Sequence, residues 1–149
     1  MGRYVSTLTF DHNENFSCVF RNWKSPDPTN HFLHGCILSV KIVFESFMLD
    51  ENNQNINDSL NTELRQYLKN HFSYTTFVSE DDPAIGLYRL LSSQKIIKLR
   101  IMPQVGLEQF AEKIFNDVKN ILATNKLERL TIKTVELREH SGASSLYIE

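Results

Sequence analysis

Alternating apolar and polar residues predict β-strands near both ends of the chain. Residues 4–10 alternate and are rich in aromatic and β-branched side chains, a pattern typical of a strand. The same pattern predicts a long second strand at 36–47, a third at 130–138 and a fourth at 144–148. Residues 11–32 are polar and include two prolines, so we expect an irregular segment between the first two strands.

Helical spacing of apolar residues predicts two helices in the middle of the chain. Asn57 or Asp58 is suited to cap the first helix, which we expect to end near Asn70. The second helix is indicated by apolar residues at intervals of three and four: Leu107, Phe110, Ala111, Ile114, Phe115, Val118, Ile121 and Leu122. The order β-β-α-α-β-β predicts an α+β fold, a four-stranded antiparallel sheet with both helices on one face.

The length of 149 residues suits a single domain, residues 1–149. Residues 82–101 do not belong to the β-β-α-α-β-β order, and we interpret them as an insertion. Weak alternation at 95–102 indicates a short extra strand at the end of this insertion.

Composition narrows the possible partners and the compartment. The net charge is −2 and no basic cluster is present, so we expect neither nucleic acid nor an anionic membrane as a partner. No apolar run approaches the roughly 18 residues that span a bilayer, and the N-terminus does not resemble a signal peptide. Two cysteines make no disulfide framework. These features predict a cytoplasmic protein.

The candidate chemistry is concentrated in residues 30–36, Asn-His-Phe-Leu-His-Gly-Cys, at the start of the second strand. Side chains two apart on a strand point to the same face, so His34 and Cys36 are able to bind one metal ion. Imidazole and thiolate are ordinary zinc ligands. The alternative interpretation is a chance pair in which Cys36 is only a small core residue.

These motifs resemble the 6-pyruvoyl-tetrahydropterin synthase and 6-carboxy-tetrahydropterin synthase family, which has the tunnelling fold. The resemblance rests on residues 10–16, 31–43 and 72–77, and on Glu108 and Glu139. The family has a zinc histidine after its first strand, a Cys-x-x-Leu-His-Gly-His motif at its second and an Asp-His pair after its first helix. A glutamate opens its second helix, and a late glutamate holds the pterin ring.

The resemblance implies a zinc site with altered ligands. His34 matches the Leu-His-Gly part of the motif, and Cys36 stands where the family has the next histidine. The third ligand falls on Glu14 when it is counted from Phe10, and on His12 after a shift of two residues. Both would lie on one strand face if the first strand continued that far.

The catalytic positions of the family are changed in this chain. Its nucleophilic cysteine falls on Asn30, and its Asp-His pair falls on Ser73 and Tyr74. Proton transfer would therefore depend on His31 or Tyr74, although a surface histidine and a packing aromatic are the simpler interpretations.

The positions that bind substrate in the resembling family are better preserved in this chain than the catalytic positions. Glu108 matches the glutamate that opens the second helix, although Gly106 and Leu107 replace the preceding threonines. Glu139 matches the glutamate that accepts the amino and ring N–H groups of the pterin, a task that suits a carboxylate because it accepts two parallel hydrogen bonds.

By resemblance, the protein is expected to be a lyase acting on 7,8-dihydroneopterin triphosphate in pterin, folate or deazapurine biosynthesis. The changed ligands predict slow or altered turnover. One alternative is a non-catalytic relative that binds a pterin-type small molecule as a sensor or as a subunit of an assembly; another is an enzyme that cleaves the dihydroneopterin side chain. The resemblance also implies a homotrimer or homohexamer with sites between subunits.

Overall fold

The computed structural model describes residues 2–140 and 142–149. Over these residues the chain forms seven strands and three helices: β1 (Tyr4–Phe10), β2 (Phe16–Phe20), β3 (His34–Ser46), α1 (Asp58–Phe72), β4 (Thr75–Ser79), α2 (Ile85–Ser93), β5 (Lys98–Met102), α3 (Leu107–Thr124), β6 (Thr131–Glu139) and β7 (Ser144–Ile148). None of the helices in the described part is long and apolar enough to cross a membrane.

One sheet contains all seven strands in the order β5-β4-β2-β3-β6-β7, and β1 also pairs with β3. β1 and β2 lie end to end along the same edge of β3, since Phe10 pairs with Val40 and Phe16 pairs with Leu38. β6 pairs with the opposite edge of β3. The long strand β3 is therefore the centre of the antiparallel part of the sheet.

The segment 11–32 is not irregular throughout, because it contains β2. Phe16, Cys18 and Phe20 are buried while the two residues between them are partly exposed, which is the alternation of a half-buried strand. Both prolines follow Phe20 and therefore leave this strand intact.

The sheet is mixed and seven-stranded, not four-stranded and antiparallel as expected. β4 pairs in parallel with β2, and β5 pairs in parallel with β4. Residues 82–101, interpreted from the sequence as an insertion, supply α2 and most of β5. All five residues of β4 are buried, which requires cover on both faces of the sheet.

The helix that the sequence did not predict, α2, covers the second face of the sheet near β4. Phe77 belongs to the main core, whereas Val78 and Tyr88 are buried outside it. Neighbouring residues of a strand point to opposite faces. We therefore place Tyr88 of α2 on the face of β4 that points away from the main core.

The two predicted helices are confirmed, and they pack on the inner face of the sheet. The Asn57 side chain accepts a hydrogen bond from the Leu60 N–H at 2.8 Å and caps α1 as predicted. The apolar residues of α3 enter the same core, where the ring of Phe110 lies 5.8 Å from that of Phe72 and 4.6 Å from that of Phe77, centre to centre. This packing fixes the start of α3 near the ends of β2 and β6.

Candidate functional site

A cleft of about 400 Å³ lies where β2 and β6 end and where β3 and α3 begin. Four residues singled out from the sequence line this cleft: Asn30, His34, Glu108 and Glu139. They lie far apart in the chain, so the fold is what brings them together.

The register of the sheet places two of these residues on β3 and its neighbour. His34 pairs with Phe20 of β2, and Leu38 pairs with Glu139 of β6. His34 and Leu38 are four residues apart on one strand and share its inner face. Glu139, half-buried beside Leu38, therefore points to the same side of the sheet as His34.

Phe20 is a cleft residue that the sequence analysis missed. Its ring lies 4.6 Å from the imidazole of His34 and 5.3 Å from the ring of Phe110, centre to centre. The available signal was the alternation of Phe16, Cys18 and Phe20, which predicts that Phe20 faces inward. An aromatic wall of this kind suits a planar ligand.

The start of α3 gives the cleft its second carboxylate. Gly106 has φ +150°, and a Cβ there would lie 2.7 Å from the side-chain oxygen of Gln109. Glycine suits this entry into the helix, because a side chain there would meet that of Gln109. Glu108 follows in the first helical turn, where the partial positive charge of the helix end favours an anion.

Among the described residues, the predicted metal ligands do not come together as one group, although His34 and Cys36 share a face of β3. The Sγ atom of Cys36 lies 3.3 Å from that of Cys18, directly across the β2–β3 pair, and both residues are buried. One thiol of such a pair must keep its proton to donate to the other. This hydrogen bond, burial and the negative charge of Glu139 all raise the pKa of Cys18.

The two candidates for the third ligand have other partners. Both carboxylate oxygens of Glu14 accept from Arg65 Nε, at 3.1 and 3.2 Å, and His12 Nε2 lies 3.2 Å from the backbone oxygen of Arg138. β1 ends at Phe10, and a 3-10 turn at His12–Glu14 takes these side chains out of the strand.

Zinc does not fit the residues that surround His34. Within the described ranges, no group of three or more histidine, cysteine, aspartate or glutamate side chains is placed to hold a metal ion. The neighbour of His34 on β2 is the phenyl ring of Phe20, which has no electron pair to give.

The residues predicted to transfer protons lie outside the lining of the cleft. His31 Nε2 is 2.7 Å from the backbone oxygen of Ser25, and the hydroxyl of buried Ser73 donates to the backbone oxygen of Asn15 at 3.1 Å. Tyr74 is 76% exposed and lines a separate groove together with His140. The fold therefore gives Ser73 a role in joining α1 to the turn before β2.

An ion pair ties the insertion to the strand beside the cleft. The guanidinium of Arg21 donates to both carboxylate oxygens of buried Asp82, at 2.9 and 2.6 Å, and to the backbone oxygen of His31 at 3.2 Å. Burial raises the pKa of Asp82, but the hydrogen bonds from Arg21 and the Ala84 N–H outweigh it and hold the pKa below its usual value. This contact holds the loop that carries Asn30.

Comparison with known proteins identifies the class of fold. No family model and no curated protein matches the sequence. An uncharacterized protein from Wolinella succinogenes has a similar structure, with a TM-score of 0.80 and 13% identity over 100% of this chain and 99% of that protein.

Two solved structures of named enzymes have the same fold. The 6-pyruvoyl tetrahydropterin synthase of Plasmodium falciparum matches with a TM-score of 0.66 and 11% identity, over 99% of this chain and 98% of the enzyme. That of Plasmodium vivax matches with a TM-score of 0.64 and 12% identity, over 98% of both chains.

These matches confirm the expected resemblance for the fold of the whole chain. The protein has the α+β tunnelling fold of 6-pyruvoyl tetrahydropterin synthases, with the parallel strands β4 and β5 and the helix α2 in addition to the expected elements. Identities of 11–13% show the fold alone. In two further P. vivax structures, a glutamate described as a catalytic residue is replaced by alanine or by cysteine.

Proposed function

We propose that the cleft binds a pterin-type heterocycle and that the carboxylate of Glu139 anchors its ring. The observation that carries this proposal is the convergence of Glu108, Glu139 and His34 on one cleft. All three were selected from the sequence through the same resemblance, but they lie far apart in the chain and come from three different elements of the fold.

The chemistry of the cleft suits a flat ligand rich in N–H groups. A carboxylate accepts two parallel hydrogen bonds, from a ring N–H and from the adjacent amino group. Glu139 is half-buried, so hydrogen bonds to its charge compete less with water than they would at an exposed site. The rings of Phe20 and His34 offer apolar surface to the flat ligand.

The test is titration of unphosphorylated neopterin into the protein, followed by calorimetry or by pterin fluorescence. We expect saturable binding that weakens about tenfold or more in Glu139→Gln, because an amide accepts fewer of the ligand's N–H groups than a carboxylate. Glu128→Gln, at an exposed position outside the cleft, is the matched control. Equal affinity in the two variants, with circular dichroism showing both folded, would reject the Glu139 anchor.

A second candidate is turnover of 7,8-dihydroneopterin triphosphate by a lyase reaction, slow or altered. The observation that favours it is the imidazole of His34 in the same cleft as both glutamates. Imidazole and carboxylate are common proton-transfer groups, and the P. vivax enzyme of this fold has a catalytic glutamate. In this version His34 and Glu108 are better placed than His31, Ser73 or Tyr74, and no step is assigned to a metal.

Product analysis separates the enzyme from the binding protein. Incubation with 7,8-dihydroneopterin triphosphate, followed by chromatography and mass spectrometry, would reveal loss of triphosphate or cleavage of the side chain. Formation of either product in the wild type but not in His34→Ala would support an enzyme. Binding of neopterin without any product would support the non-catalytic alternative.

The homotrimer or homohexamer implied by the resemblance is also a proposal. The outer face of the antiparallel strands exposes apolar residues, with Val5 57%, Leu146 54% and Ile148 61% exposed. Association with further copies would cover such a surface. Light scattering coupled to gel filtration should give three or six times the mass of one chain, and a stable monomer would contradict this proposal.

A further inference from the structure

A second groove, of about 810 Å³, runs between β5, at the end of the sheet, and one face of α3. β5 contributes Arg100, and α3 contributes Glu112, Lys113 and Asn116. None of these residues was singled out from the sequence. The volume is within the range of small-molecule sites in proteins.

Arg100 is the most informative residue of this groove. Its Nε is shielded from solvent and has no hydrogen-bond partner among the residues that the structure describes. A shielded, unmatched donor on a cationic group costs free energy, which a bound acceptor would recover. The groove therefore has a donor for which the described residues supply no acceptor.

The nearby acid does not meet this need. The carboxylate of Asp117 accepts a hydrogen bond from the Tyr67 hydroxyl at 2.5 Å and pairs with Lys113 at 3.3 Å. Glu112 also lines the groove, so its lining has two cations and one carboxylate. Lys113 is already paired with Asp117, and Arg100 is the cation of the lining whose Nε lacks an acceptor among the described residues.

His71 lies close enough to these charged groups for them to act on its pKa. Its ring stacks on Tyr67 with 5.3 Å between the centres, and its Nε2 is buried without a hydrogen-bond partner in the described chain. Burial, followed by the charges of Arg100 and Lys113, lowers the pKa of His71 to about 4, with Lys98 acting in the same direction and Asp117 opposing it. The protonated, cationic form of His71 is therefore disfavoured.

We propose that this groove binds the phosphate group of a small organic phosphate, held by the guanidinium of Arg100 and the ammonium of Lys113. Guanidinium groups bind phosphate through parallel N–H donors, and an ammonium adds a point charge. The rest of the groove is lined by the amide residues Gln104, Gln109 and Asn116 and by apolar residues of β5 and Pro103, a mixed surface that suits the organic part.

The groove and the cleft are neighbours, because Gln104 and Gln109 line both. The inference does not depend on the pterin proposal. Its ligand is defined by the phosphate group, and it can be tested with probes that contain no pterin.

The experiment titrates phenyl phosphate and inorganic phosphate separately into isotope-labelled protein at constant ionic strength, followed by nuclear magnetic resonance. We expect saturable binding, tighter for phenyl phosphate, with a shift of the Arg100 Nε–H signal. The pKa of His71 should rise on saturation, because a bound anion offsets the nearby positive charge. Equal affinity for the two probes would overturn the assignment to an organic phosphate.

Variants locate the site. Arg100→Gln should weaken phenyl phosphate binding about tenfold or more, while Arg89→Gln, at an exposed position of α2, should leave it unchanged. Lys113→Gln should give an intermediate loss, since it keeps the guanidinium. No saturable binding by the wild type, or equal binding by the two arginine variants, would overturn the proposal.

Discussion

The cleft and the groove adjoin each other near the start of α3, yet their charges are opposite. The cleft is lined by the carboxylates of Glu108 and Glu139, whereas the groove is lined by Arg100 and Lys113 with one opposing glutamate. The cleft is built at the ends of strands β2, β3 and β6, and the groove on the added strand β5. The difference shows that one sheet carries two neighbouring sites of different charge, built on different strands.

The largest effect is expected from breaking the ion pair between Arg21, just after β2, and Asp82, at the start of residues 82–101. Asp82→Ala leaves Arg21 without its partner and should lower the free energy of unfolding by about 3 kcal/mol, as for other pairs with one buried charge. Urea denaturation measures the change. Glu80→Ala, two residues earlier and exposed, is the control. Equal midpoints for the two variants would show that Arg21 and Asp82 do not secure the insertion.

Exchanging variants between the two sites tests whether they are chemically separate. Arg100→Gln should leave neopterin affinity within about twofold of wild type, and Glu139→Gln should leave phenyl phosphate affinity within the same limit. Each removed charge acts only weakly on the ligand of the other site, because side chains and solvent lie between them. Calorimetry with all four combinations measures this. A tenfold loss in either cross-combination would show that the cleft and the groove act as one site.

Stability should depend on pH through His71, which lies behind the groove. Its pKa is about 4 in the folded protein, below the ordinary value near 6.5, so the unfolded chain binds more protons between these values. Stability is therefore complete above pH 6.5 and falls as the pH drops towards 4, by about 1–2 kcal/mol after allowance for solvent screening.

Urea midpoints between pH 7.5 and 4 measure this loss. Carboxylates titrate in the same range, so the informative quantity is the difference between the wild type and His71→Gln. The variant should show a shallower decrease; parallel curves would contradict the lowered pKa.

The smallest effect is expected at Tyr74, at the turn between α1 and β4. Its φ of +60° is a left-handed conformation that costs a bulky residue about 1 kcal/mol relative to glycine. Tyr74→Gly should therefore stabilise the protein by about that amount, while Tyr74→Ala, which keeps a Cβ, should not. Thermal denaturation compares the two. If Tyr74→Gly stabilised the protein but lost neopterin binding, Tyr74 would belong to the binding site.

Local patterns in the sequence were sufficient where an element depends on its own residues. The cap at Asn57 and the apolar face of α3 confirm this, and β7 has the bounds expected from alternation. β4 and β5 were harder to predict, because their parallel pairing depends on contacts far along the chain and on α2 for cover. β2 was missed because the prolines that follow it predict irregular structure, and this prediction was extended to all of residues 11–32.

The same distinction applies to the candidate sites. Glu108, Glu139 and His34 were selected because they match recognisable motifs, and the fold brings them to one cleft. Counting along the chain failed for Glu14 and His12, since it continued β1 through a 3-10 turn. Arg100 had no motif at all. Its role emerges only when β5 lies against α3.

Strand β3 is paired along both edges for most of its length, with β1 and β2 on one side and β6 on the other. Amides in the middle of such a strand exchange their hydrogens with solvent only when the whole domain opens, whereas those of the terminal strand β5 exchange through smaller local openings. His34 is the first residue of this strand, where β2 alone pairs with it, and the doubly paired part from Leu38 onwards should exchange most slowly. One wall of the cleft is therefore continuous with the strand that should open last, whereas one wall of the groove lies on a strand that should open locally and more often.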